Sequence, residues 1–133
     1  MRRSILVSAA TVFCLTAAYA SAQDTPPKEN KGAEITVLTS LDLGPEIDGM
    51  QGRQLRMRKV TVEPGGVIGL HSHADRPTVV HVMQGTVTLH YEGKPDAEHS
   101  AGDSFAEDKN TTHWSENKGS EPLVLLVTDV PKQ

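Results

Sequence analysis

Runs of β-branched residues alternate with turn residues along most of this chain, and one run keeps a clean period of two. From Thr86 to Tyr91, Val87, Leu89 and Tyr91 share one face, and Thr86, Thr88 and His90 share the other. That is the pattern of a strand with one buried side. Similar β-branched runs predict strands at Glu34–Thr39, Arg53–Val62, Val67–His71, Thr78–Met83, Asp103–Ala106, His113–Glu116 and Leu123–Thr128. Between them stand Pro64-Gly65-Gly66, Gln84-Gly85, Gly93-Lys94-Pro95, Lys109-Asn110 and Lys118-Gly119, turn residues at the short, regular spacing of a sandwich or barrel. No helical period runs longer than two turns, so the expected class is all-β.

One segment breaks the rule. In Arg53–Val62, Leu55 and Met57 share a face against Gln54, Arg56 and Arg58, but Val60 and Val62 then fall on the even positions. A bulge near Lys59 would reconcile the two halves. On that reading Arg56 and Arg58 lie on an outer face, either solvated or bordering a subunit interface.

The start of the chain has a different character. Arg2 and Arg3 precede an apolar run from Ile5 to Ala18, and Ala18-Tyr19-Ala20 and Ala20-Ser21-Ala22 each offer small residues for cleavage. These are the parts of a secretory signal peptide, too short to span a bilayer. The paired arginines also suit export by a twin-arginine route. The expected organisation is a signal peptide over 1–22, a flexible N-terminus over 23–33 and one folded domain over 34–133, with the product periplasmic or secreted. The one cysteine, Cys14, lies in the leader, so the exported domain would fold without a disulfide. Loss of Arg2 and Arg3 would take the formal charge from −4 to −6, which disfavours nucleic acid and anionic membranes as partners.

The chemistry centres on His71-Ser72-His73. Residues two apart on an extended strand project from the same face, so both imidazoles point one way, and neutral imidazole is a common ligand for first-row metals. The pair has a context. Gly65 stands six positions before His71, and Gly85 closes the next strand. Gly102 is followed by His113 and, four positions later, Asn117. These two blocks resemble the two signature motifs of the cupin superfamily. The resemblance implies a small double-stranded β-helix of the jelly-roll kind, with His71, His73 and His113 converging on one divalent metal ion inside the barrel. Iron is favoured, with manganese, copper, nickel or zinc open.

The departures from the motifs matter. Thr78 stands where the family carries a glutamate ligand, Asp108 where it has proline, and Asn110 where it has glycine. Three readings of the ligand set stay open: three histidines alone, recruitment of Asp75, or a site that binds no metal. Thr78 could orient a histidine from behind, and a glutamate placed at 78 is expected to add a fourth ligand. His81 should face away from the centre, as should Trp114, while His90 and His99 have no partner at a meaningful spacing. A three-histidine site resembles those of the cupin dioxygenases, which implies an exported, metal-dependent oxidoreductase acting on a small molecule. The rival is a cupin that binds a metal or small ligand without turnover. Cupins also often pair, so a homodimer is expected on the same ground.

Overall fold

A computed structural model describes residues 25–133. The expected signal peptide, with Cys14, lies outside them. Eight strands follow in order: β1 (Lys31–Asp42), β2 (Gln54–Ser72), β3 (Thr78–Gln84), β4 (Thr86–Tyr91), β5 (Ala97–Ser100), β6 (Ser104–Glu107), β7 (Thr112–Glu116) and β8 (Leu123–Asp129). All pair antiparallel in one sheet, ordered β5-β4-β7-β2-β8-β3-β6, with β1 added along β2. The sheet curls until its ends meet: His99 on β5 stacks on Phe105 of β6 with ring centroids 4.3 Å apart. This is the all-β class that the strand pattern predicted, in the jelly-roll form that the cupin resemblance implied.

The barrel is filled from its inward-facing positions. Val80 and Val82 of β3, Val87 and Leu89 of β4, and Leu123, Leu125 and Val127 of β8 are buried together with Val60 and Val62 of β2. Their neighbours in sequence, such as Val79, His81 and Met83, point outward and are exposed. The two runs predicted on either side of Pro64-Gly65-Gly66 are one long strand that bends there. Gly65 takes a φ of 73°, a value that favours glycine. Asn117 grips the bend through paired backbone bonds, Gly65 N–H to its carbonyl and its own N–H to Gly66. The bend hands β2 from β8, which it pairs over 56–62, to β7, which it pairs over 67–72. Strand β5 was missed because Ala97-Glu98-His99-Ser100 is short and carries one small apolar side chain.

The awkward strand resolves without a bulge near Lys59. Register between β2 and β8 runs unbroken from Arg56↔Asp129 to Val62↔Leu123, and the irregularity falls in β1, between Val37 and Thr39. The even positions therefore face inward throughout. Arg56 and Arg58 point into the barrel, and Leu55, at 41% exposure, points out. Ahead of β1, in the stretch read as a flexible lead, the Pro27 carbonyl accepts from Leu70 N–H and the Asn30 side chain from Gly69 N–H.

Candidate metal centre

Strand pairing brings the three histidines together. His71 on β2 lies opposite His113 on β7, and His73, just past the end of β2, is tied back by its N–H to the Thr111 carbonyl. Their Nε2 atoms converge: His113 lies 3.1 Å from His71 and 3.2 Å from His73. His73 and His113 are buried and His71 half-buried.

The far side of two rings is fixed by the protein. His71 Nδ1 lies 2.8 Å from the Gly69 carbonyl, an acceptor only, so it must carry the proton. His73 Nδ1 lies 2.9 Å from Thr78 Oγ1, whose own hydroxyl donates to the Arg76 carbonyl at 3.0 Å. That leaves Thr78 as acceptor and His73 Nδ1 as donor. Both imidazoles thus turn an Nε2 lone pair toward the centre, the tautomer a metal needs. Burial holds both neutral, moving His71 from 6.5 to about 4 and His73 in the same direction. The buried Nδ1 of His113 has no partner among the described residues, and its ring is steadied by stacking on Tyr91, with centroids 5.7 Å apart.

A fourth group, not anticipated, borders two of the three histidines. Glu107, at the end of β6, places Oε1 3.1 Å from His113 Nε2 and Oε2 3.2 Å from His73 Nε2. Its side chain is 6% exposed. Burial alone would raise the carboxyl, but the hydrogen bond and charge of His113, with His73 and His71, draw it below its ordinary value. The signal lay in parity along β6: Phe105 packs against the core, so Glu107 must face inward as well. Cross-strand register explains the exchange with the family pattern, because Thr78 pairs directly with Glu107. The carboxylate missing at 78 arrives one strand over.

The other sequence readings sort cleanly. Asp75 does not reach the centre; it is 56% exposed and bound to Arg53 and Lys132 on the surface. Thr78 stands behind His73, on its Nδ1 side, so a glutamate there would not meet the Nε2 cluster directly. His81 bonds to Ser104 on the outer face. His90 is held by Asp96 and Glu116 and stacks on Trp114 at 3.9 Å, away from the centre.

The donor geometry fits a metal ion. Two donors about 2.1 Å from one ion and about 90° apart are about 3.0 Å from each other, and about 3.4 Å apart if tetrahedral. The observed separations of 3.1 and 3.2 Å fall in that interval. The site opens on a cavity of about 300 Å³, lined by Arg58, Arg76, Val80, Phe105 and Val127 among others.

A family model described as "Cupin domain" matches residues 58–129. Solved structures of similar fold include KdgF from Halomonas sp., 20% identical with a TM-score of 0.58, where the match covers 77% of this chain and 81% of that one. The Cnp3 cupin domain of Schizosaccharomyces pombe is 10% identical with a TM-score of 0.59, over 78% and 64%. An oxalate oxidase in complex with the substrate analogue glycolate is 23% identical with a TM-score of 0.56, over 74% of this chain and 50% of that one. At such identities the likeness concerns the fold. No sequence among the curated proteins matches this chain.

Proposed function

The chain belongs to the cupin domain family, and we propose that it is an exported protein whose His71, His73, His113 and Glu107 hold one divalent metal ion for the oxidation of a small molecule. One observation carries the metal. Four groups face each other with at most one proton among them, because His71 and His73 commit their N–H groups elsewhere. A single N–H on His113 Nε2 could satisfy only one of its neighbours. A cation satisfies all of them at once.

Three imidazoles and one carboxylate suit iron(II) or manganese(II), which accept borderline nitrogen and hard oxygen donors together. When bound, such an ion supplies open coordination positions and redox capacity. The chain's residues hold the donors in place: Gly69 and Thr78 fix two ring orientations, and Tyr91 steadies the third. Val80, Val127 and Phe105 make one wall of the adjoining cavity apolar, which limits water on that side of the reacting groups. A redox reading is in keeping with the oxalate oxidase among the proteins of like fold. Export rests on Arg2, Arg3 and the apolar run behind them.

Elemental analysis of protein purified from its native compartment is the test. Iron or manganese near one per chain is expected, with oxygen uptake on a substrate screen. Zinc, or no metal, would overturn the oxidative reading and leave a binding protein. An N-terminus still at Met1 would overturn export.

A further inference from the structure

We propose that the cavity beside the centre takes a small organic carboxylate, with Arg58 as the anchor for its charge. The proposal deepens the metal-centre reading and rests on it, since the same cavity would hold the substrate.

The register sets out the wall in rows. Arg58 pairs with Val127, Val127 with Val80, and Val80 with Phe105. All four line the cavity, so one row of three apolar side chains ends in a guanidinium. The next row holds Arg56, Asp129, Thr78 and Glu107. Arg58 reaches back to it, giving Nη2 to Asp129 Oδ2 at 2.9 Å.

That contact leaves Arg58 incomplete. Its side chain is 12% exposed, and among the described residues its buried Nε has no hydrogen-bond partner. Asp129 has little left to offer: Oδ1 accepts from Arg56, and Oδ2 accepts from Arg56, Arg58 and Arg76. Three guanidiniums against this one carboxylate leave two positive charges in excess, and Arg58, Arg76 and Lys28 all line the cavity, where Glu107 offsets one of them. The chain as a whole is at −4, so the cavity wall locally reverses the sign of the molecule. A carboxylate paired with the cavity-facing part of the Arg58 guanidinium would reduce that excess. The apolar row then gives the rest of the ligand a dry surface, which an inorganic anion could not use.

Titration calorimetry on the purified protein, metal-free and manganese-loaded, tests this with benzoate, its neutral amide benzamide, and inorganic phosphate. Benzoate is expected to bind at least tenfold more tightly than either of the others. That preference should vanish in Arg58→Gln and fall in Arg58→Lys, which keeps a charge for Asp129 but lacks the planar guanidinium. Thermal melts and manganese content establish that each variant is folded and its centre intact. Equal binding of benzoate and benzamide, or unchanged benzoate affinity in a folded variant, would overturn the proposal. Phosphate binding as tightly as benzoate would overturn its organic part. If manganese fails to bind, the metal reading falls, and the benzoate preference of the metal-free protein still decides the role of Arg58.

Discussion

Two buried carboxylates flank Thr78 in one row of the barrel wall, Glu107 across β6 and Asp129 across β8. Both are nearly inaccessible, at 5% and 1% exposure. Their surroundings differ completely. Asp129 is closed by Arg56, Arg58 and Arg76, which neutralise it several times over and tie β2, β8 and the turn before β3 together. Glu107 meets only imidazoles, two of which burial keeps neutral. A buried charge needs a counter-charge; the protein supplies one to Asp129 and leaves Glu107 to obtain its own. The first carboxylate belongs to the architecture, and the second is half of a binding site.

The largest expected effect breaks the architectural half. Asp129→Ala strands three inward guanidiniums and should cost about 3–5 kcal/mol of stability, measured by denaturant unfolding. Glu107→Gln in metal-free protein should cost less than that, because imidazole contacts and not three guanidiniums hold this carboxylate. A loss from Glu107→Gln as large as that from Asp129→Ala would erase the distinction between the two.

Metal binding sharpens the contrast from the other side. Glu107→Gln and each of His71→Ala, His73→Ala and His113→Ala should lower metal affinity at least about tenfold, since changes behind a ligand already cost that much. His90→Ala and His99→Ala should retain the metal, as elemental analysis can check. Thr78 gives a smaller effect. Thr78→Val keeps the shape but removes the nearer of two acceptors of His73 Nδ1, leaving the Arg76 carbonyl at 3.2 Å, and should weaken binding by up to about tenfold. Thr78→Glu is expected to lose stability without tightening manganese binding, because the new carboxylate would sit between Glu107 and Asp129 in the row and behind His73.

Acid should separate the two regions most gently. The folded His71 value of about 4 lies below its ordinary 6.5, so the unfolded chain takes up a proton that the fold refuses. Metal-free stability from this group is full above pH 6.5 and declines as pH falls toward 4. Asp129 is held below its ordinary 3.8; against the penalty of burial, the Arg56 hydrogen bond and the charges of Arg58 and Arg76 prevail. Its contribution therefore persists through that window and fades only below 3.8. Unfolding midpoints that stay flat from pH 7 to 4.5 would contradict the histidine part.

Much of the fold was legible because a strand's parity is a local property. Thr86–Tyr91 alternates without interruption and Leu123–Thr128 is a short apolar run, and both lie where the pattern put them. Arg53–Val62 misled for an equally local reason. Arginine at an inward position looks like an outward one until its partner is known, and that partner, Asp129, is more than seventy positions away. The histidines were legible through spacing, since His71 and His73 share a strand face and His113 stands on a recognisable motif. Glu107 was not, because position 78 was examined for a carboxylate and the position beside it in space was not.

The sequence by itself determined which residues could face inward together and which side chains could bind a metal, since both follow from a two-residue period and from the chemistry of imidazole. Only the tertiary structure decided which inward residues became neighbours. Register between β3, β6 and β8 set Thr78 between two carboxylates. Long-range pairing then gave one of them three arginines and the other three histidines. A strand's own pattern carries no information about the strand beside it, and there the two carboxylates, alike in burial, acquired opposite roles.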